Sequence, residues 1–217
     1  HTWVTFVRVA PTAPGCAPAI EHHSISWMPA TLFIRTYWPC VEPGVNLTVH
    51  QSIEMALGYC ERVSLWGPYE IPPGLYRKFV MQKEFVESGA IGYQCIDTYG
   101  EAGLKGNGSD CVHAISDADP LFTRQEYPLV YYGDAASQHI LRMLVLRGAV
   151  PDVCTTHDWL IPTLGLDQYP IVRREYTPPL FPNLPRFGGA AAAQRAGLTP
   201  ATPVGCVPTI AGRAPAE

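Results

Sequence analysis

The proline and glycine content constrains the fold of this chain most. The 217 residues include 22 prolines and 19 glycines. Proline lacks a backbone N–H and glycine weakens helix interiors, so both residues interrupt long helices. Frequent interruption favours many short strands joined by turns. We therefore predict a mainly β fold.

The first half of the chain contains several short runs of β-branched and aromatic residues. At 45–50, Val45, Leu47 and Val49 alternate with polar residues, which is the two-residue period of a strand. Strands at a spacing of about ten residues are typical of a sandwich. We predict a disulfide-linked antiparallel β-sandwich. The predicted strands are 2–10, 31–38, 45–50, 62–66 and 90–98.

The second half changes character. The segment 134–146 has apolar residues at helical spacing, with Asp134 as a candidate N-cap and Gly148 as a candidate end. From about residue 176 the chain is rich in proline, glycine and alanine. We predict a single β-rich domain over 1–175, with a strand-rich part over about 1–130 and a short helix at about 134–147. An irregular tail would follow at 176–217.

Charge and hydropathy limit the partners. Charged residues make up 16% of the chain, the net charge is −4, and there is no run of lysine or arginine. This pattern excludes a nucleic-acid partner from our prediction. No apolar stretch approaches the roughly 20 residues that a membrane-spanning helix needs, so we predict no membrane span. The tail is a candidate for docking on a protein partner.

Cysteines and sequons indicate an exported protein. The seven cysteines are dispersed and form no C-x-x-C pair, which argues against a structural zinc site. Two glycosylation sequons begin at Asn46 and Asn107. Together with a first residue that is not methionine, these features predict a secreted glycoprotein with disulfide bonds. The odd cysteine count leaves at least one thiol unpaired within the chain.

The segment 70–110 carries a family resemblance. It opens with Ile-Pro-Pro-Gly-Leu-Tyr at 71–76 and continues with Gly-Ala at 89–90, Tyr93 and Cys95, then a glycine-rich exit. This order, together with histidine at position 1, resembles fungal lytic polysaccharide monooxygenases, whose mature chains begin with histidine. The resemblance covers about 40 residues and position 1.

The resemblance implies a secreted copper enzyme that oxidises polysaccharide. His1 would bind copper through its amino group and its ring, and Tyr93 would be the axial residue. Cys95 would be a disulfide cysteine with Cys40 or Cys60 as its partner, and Cys40 and Cys95 are the predicted disulfide residues. Imidazole and amine nitrogens suit copper. We select His50, on the polar face of a predicted strand, as the second metal ligand, with His113 as the alternative.

Two other functions compete with this prediction. Aromatic residues such as Trp3, Trp38 and Trp66 could stack on sugar rings, which favours a non-catalytic surface glycoprotein that binds a glycan or a protein. The segment 154–159, with His157 and Asp158, is similar to the His-Asp element of histidine acid phosphatases. Position 9 is valine where that family has its nucleophilic histidine, so this similarity implies an inactive relative.

Overall fold

A computed structural model describes residues 1–11, 17–36, 38–96, 107–118 and 133–177. The predicted tail from 178 onward lies outside these ranges. The described elements mix helices with short strands. In chain order they are β1 (Val4–Ala10), β2 (Ala19–Ile25), β3 (Trp27–Pro29), β4 (Gly44–Asn46), α1 (Val49–Gly58), β5 (Val63–Trp66), α2 (Pro73–Glu87), β6 (Gly92–Tyr93), β7 (Gly108–Ser109), α3 (Cys111–Ser116), α4 (Asp134–Leu146), α5 (Leu160–Thr163) and β8 (Ile171–Arg174).

The predicted antiparallel sandwich is wrong. In the described ranges the strands form four two-stranded sheets. β1 with β2 and β3 with β4 are antiparallel, whereas β5 with β8 and β6 with β7 are parallel. Helices cover these small sheets, because two-stranded pairs cannot bury a core by themselves.

The hairpin of β1 and β2 lies between two hydrophobic clusters. Val4 and Phe6 pack in the larger cluster, whereas Trp3 and Val7 pack against the smaller one. This division follows from the alternation of side chains along a strand. Phe6 stacks on Phe79 of α2 at 5.3 Å between ring centroids. The N-terminal strand therefore contributes to both halves of the core.

Helix α1 replaces most of the predicted strand at 45–50. Thr48 is its N-cap: the Gln51 N–H donates to the Thr48 hydroxyl, and the Gln51 side chain accepts from the Thr48 N–H. This reciprocal capping box satisfies two backbone donors and begins the helix at Val49. Only Val45 and Asn46 of the predicted strand belong to β4. The apolar residues at 45, 47 and 49 do alternate, but the capping box at Thr48 begins a helix where we predicted a strand.

Helix α2 occupies a region that we assigned to the strand-rich part. Proline stands at its first position, where the missing N–H costs no hydrogen bond. Its buried residues, Leu75, Phe79, Gln82 and Val86, follow the helical period.

The predictions at 2–10, 62–66 and 134–146 are confirmed by β1, β5 and α4. Asp134 is the first helical residue and Gly133 the N-cap. The predicted strand at 31–38 is wrong in its described residues, and at 90–98 only β6 is a strand.

The predicted disulfide of Cys95 with Cys40 or Cys60 is also wrong. Cys40, Cys60, Cys95 and Cys111 carry free thiols, and no disulfide joins two of the described residues. Cys40 and Cys95 are therefore not bonded to each other. Within the described part of the chain, no helix combines the length and the apolar character that crossing a bilayer requires.

Candidate functional site

Cys111 is the first residue of α3 and lies beside the start of the chain. Asp110 caps this helix: its Oδ1 accepts from the N–H groups of Val112 at 2.7 Å and of His113 at 2.8 Å. An aspartate at this position satisfies donors that have no partner within the helix. The backbone N–H of Thr2 lies near the Cys111 thiol and lowers its pKa. The fold thus brings the thiol to residues 1 and 2.

The thiol of Cys111 is desolvated. Burial raises its pKa to about 11, although the His1 amino group and the Thr2 N–H act in the opposite direction. Burial also raises the pKa of the nearby Cys95 thiol. Desolvation disfavours the thiolate, so both groups are neutral thiols near neutral pH. A neutral thiol needs a base to take its proton before it can act as a nucleophile.

The ring of His1 is held at one nitrogen and unpaired at the other. Its Nε2 lies 2.8 Å from the hydroxyl of the fully buried Ser26. Ser52 donates to the same hydroxyl at 2.7 Å. The ring also stacks on Trp3, with centroids 5.6 Å apart. The buried Nδ1 has no hydrogen-bond partner among the described residues. Leaving a buried ring nitrogen without a hydrogen bond lowers the stability of the fold, so this atom is a candidate for a functional role.

A buried acidic group extends the site behind Cys111. Asp110 Oδ2 lies 2.7 Å from the Nδ1 of His113, and both side chains are nearly inaccessible. Asp117, at the end of α3, has a pKa raised to about 7 by burial, with His113 acting against this and Asp110 adding to it. Asp110 therefore holds the helix start, and through it the position of Cys111.

The structure gathers three of the residues predicted from the resemblance. Tyr93 is almost fully buried, and its pKa is raised by burial and by Cys111 and Cys95. The Tyr93 side chain hydrogen-bonds the Cys95 thiol. The His1 amino group acts electrostatically on the same two thiols. The His1 amino group, Tyr93 and Cys95 therefore lie within electrostatic range of Cys111.

The predicted metal ligands have separate hydrogen-bond partners, His1 at Ser26 and His50 at Tyr169. His50 lies on α1, where its Nδ1 is 3.1 Å from the hydroxyl of Tyr169. His113, the alternative ligand, is engaged by Asp110. Across the described ranges, no group of three or more His, Cys, Asp or Glu residues is arranged to hold a metal ion. The copper cofactor itself stays an untested prediction.

The two predicted glycosylation residues differ in environment. The Asn46 amide donates to the backbone oxygen of Ser24 at 2.9 Å and to Glu87 at 2.8 Å, and its oxygen accepts from the Ser26 N–H. These bonds tie β4 to β2 and α2. Asn107 is exposed. Glycosylation at either residue stays a prediction, and the Asn46 amide would have to lose its bonds first.

The phosphatase-like residues make local contacts. The N–H of His157 donates to the backbone oxygen of Pro68, and Asp158 pairs with Arg173 at 2.7 Å. Val9, the counterpart of the missing nucleophile, lies on the exposed side of β1. An inactive relative of the phosphatases therefore stays an untested prediction with no further support.

His1 and Thr2 also border open space. They line a cavity of about 1300 Å³ with largely apolar walls that include Phe79, Ile115 and Leu141. Ile115 lies one helical turn after Cys111 on α3. The cavity therefore reaches residues 1 and 2, whereas Cys111 itself is not among its lining residues.

Sequence reasoning missed Cys111 as a functional residue. The available signal was Asp110, an N-cap residue type, directly before the cysteine and a short apolar run. A cysteine at a helix start is a recognised setting for a reactive thiol. The proximity of residues 1 and 111 could not be predicted from the sequence, because it depends on tertiary packing.

Comparison of the chain with protein-family models, curated proteins and solved structures found no match.

Proposed function

We propose that this protein is a cysteine-dependent acyl-transfer enzyme, in which Cys111 is the nucleophile, His1 the general base and Ser26 the residue that orients His1. The observation that supports this proposal best is the buried Nδ1 of His1, which has no hydrogen-bond partner among the described residues. The next residue, Thr2, presents its backbone N–H to the Cys111 thiol. A nucleophile, a base and a group that orients the base are the parts that such catalysis requires.

The mechanism follows from the two ring nitrogens. When Nδ1 is unprotonated, the Nε2–H donates to the Ser26 hydroxyl, which has lone pairs for both His1 and Ser52. His1 Nδ1 takes the thiol proton as the sulfur attacks the carbonyl carbon of an ester, thioester or amide. The protonated ring then gives this proton to the leaving group. Water, or another acceptor, cleaves the resulting thioester with the same proton transfers in reverse.

The raised pKa of Cys111 decides between two forms of this mechanism. A preformed thiolate–imidazolium pair requires a thiol pKa below the working pH. Burial raises the pKa of Cys111 to about 11, so the proton moves only when the substrate is attacked. The reaction therefore resembles general-base catalysis at a hydroxyl, in which the loss of the base costs roughly 100-fold or more.

Hydrolysis of p-nitrophenyl acetate by the purified chain tests the proposal. We expect turnover in the wild type and its loss in Cys111→Ser. In His1→Gln we expect a decrease of roughly 100-fold. Cys60→Ser is the matched control, because Cys60 is a free, exposed thiol. Equal turnover in the wild type and Cys111→Ser would contradict the proposal.

A second variant separates this proposal from the copper enzyme. The copper site needs the free amino group of His1, whereas the acyl-transfer site needs only its ring. An extra alanine before His1 should therefore abolish any tight copper binding but leave most of the esterase turnover. Titration with copper and the esterase assay, carried out on the same preparation, distinguish the two. If the extended variant loses its esterase turnover while Cys111→Ser keeps its own, neither site is supported. The glycan- or protein-binding alternative would then remain.

A further inference from the structure

The pairing of β6 with β7 places two thiols side by side. In this parallel pair Gly92 is opposite Gly108 and Tyr93 is opposite Ser109. The N–H of Gln94 donates to the Ser109 oxygen at 3.2 Å, which is the bond of the last assigned pair, Tyr93 with Ser109. Cys95 and Cys111 each follow the paired residues Tyr93 and Ser109 by two positions. They therefore both follow the same end of this parallel pair, Cys95 in a bend and Cys111 at the start of α3.

The two side chains also lie on the same face. Asp110 has extended backbone angles, φ −88° and ψ 177°, so the strand geometry persists up to Cys111. In extended backbone, residues two apart point to the same side, so Cys95 follows Tyr93 and Cys111 follows Ser109. Neighbouring strands are about 4.8 Å apart. This spacing lies within the Cα separation of roughly 4.4 to 6.8 Å that a disulfide accepts.

The electrostatic environment supports this proximity independently. Cys95 acts on the ionisation of Cys111, and both act on Tyr93. Both thiols are influenced by Asp110 and by the amino group of His1. Two cysteines that share this set of neighbours lie in the same region of the structure. Both are free, so the pair is in its reduced form.

We propose that Cys95 and Cys111 form a redox-active thiol pair, which peroxides oxidise to a disulfide that blocks the nucleophile. One sulfur attacks the peroxide oxygen and becomes a sulfenic acid, with loss of hydroxide. The second sulfur attacks this sulfenic sulfur, which forms the S–S bond and releases water. In total, two thiols and one hydrogen peroxide give one disulfide and two waters. Disulfide formation needs only the thiol pair, whereas the loss of activity rests on the proposed function.

Peptide mapping of the full chain tests the pair directly. Trypsin cleaves after Lys83, Lys105 and Arg124, so Cys95 and Cys111 fall on the separate peptides 84–105 and 106–124. After treatment with hydrogen peroxide and alkylation of the remaining thiols, we expect these two peptides as one cross-linked species. Dithiothreitol should return them to the single peptides. The Cys40→Ser variant should give the same cross-link, because Cys40 is an exposed, free thiol outside the pair.

Two results would overturn the pair. In the first, Cys95 and Cys111 are each alkylated or over-oxidised separately in the wild type. In the second, either one joins Cys40 or Cys60 instead. The esterase assay adds a separate readout: peroxide should inactivate the wild type reversibly, whereas Cys95→Ser should not recover with dithiothreitol. A cross-link in a chain without Cys111-dependent turnover would refute the proposed function and leave the thiol pair standing.

Discussion

Ser26 shows how a single hydroxyl can set the chemistry of this site. It is fully buried and holds the His1 ring at Nε2, which leaves Nδ1 directed elsewhere. Ser26→Ala removes the group that orients the base. We expect esterase turnover to fall roughly 10-fold, part of what a positioned base contributes. We also expect a loss of about 1 kcal/mol in the free energy of unfolding, as for one buried hydrogen bond.

Ser24→Ala is the matched control for Ser26. Ser24 lies on β2, is also buried, and hydrogen-bonds Thr5 at 2.9 Å rather than His1. A similar loss of stability with unchanged turnover is the expected result for this variant. If both variants lose turnover to the same extent, the effect is general destabilisation, and the orienting role of Ser26 is refuted.

Asp117 makes stability depend on pH in a defined direction. Burial raises its pKa from 3.8 to about 7 in the folded protein, so the folded state holds this proton more tightly than the unfolded chain does. Its contribution to stability is present below pH 4 and is lost as the pH rises to about 7, by an amount on the order of a few kcal/mol.

Asp117→Asn mimics the neutral acid and removes this titration. Urea denaturation at pH 5 and pH 8 should show a larger loss of stability at the higher pH in the wild type than in the variant. His113 and Asp110 remain in both proteins and provide the common background. An equal loss in both proteins would show that Asp117 does not titrate in this range.

Among single residues, the sequence pointed to His1, Tyr93 and Cys95 but not to Cys111, the residue to which we assign the chemistry. The His1 amino group, Tyr93 and Cys95 act on one another's neighbourhood electrostatically, and their predicted roles stay predictions. The residue near them is Cys111, whereas His50, which the strand pattern favoured, lies on α1 and contacts Tyr169. Spacing along a predicted strand cannot identify a partner that is brought near by packing, and this limit concealed Cys111.

At the scale of elements, the start of α3 positions the nucleophile. Asp110→Ala removes both the cap and the partner of His113, and we expect a loss of about 1–2 kcal/mol in the free energy of unfolding, together with reduced turnover. Asp110→Asn keeps an effective cap and should retain more of both. Urea denaturation and the esterase assay measure the two effects. If Ala and Asn destabilise the protein equally, the cap bonds to Val112 and His113 do not hold the helix.

The helices show why the fold class was predicted wrongly. Both α1 and α2 begin with signals that a sequence contains: the capping box at Thr48 and Gln51, and a proline at the first position of α2. We gave more weight to β-branched alternation and to the number of prolines. Proline interrupts a helix interior but is well accommodated at a helix start. The elements β1, β5 and α4 were predicted correctly.

At the scale of the whole molecule, the N-terminal strand joins the core to the site. Phe6 packs in the larger cluster on Phe79 and Tyr76, five residues from His1. Phe6→Ala should lower the free energy of unfolding by about 3–5 kcal/mol, as expected for a buried phenylalanine. Val9→Ala, on the same strand but 42% exposed, is the control and should cost far less. Chemical denaturation compares them, and similar losses would contradict the described packing.

The arrangement of the small sheets could not be derived from the sequence. The parallel pairs β5 with β8 and β6 with β7 join segments that are about 108 and 16 residues apart in the sequence. Short strands carry little register information of their own, so the hydrophobic clusters determine which of them pair. The convergence of residues 1, 26, 95 and 111 depends on this pairing, and so does the candidate site.

Trapping of an acyl-enzyme tests the central claim most directly. The wild type is mixed with p-nitrophenyl acetate, quenched with acid and digested with trypsin. The peptide 106–124, which contains Cys111 as its only cysteine, is then examined for an acetyl group. The account predicts a thioester at Cys111 that is absent from Cys111→Ser and strongly reduced in His1→Gln. Acetylation spread over other residues, or equal labelling of Cys111 with and without His1, would contradict it.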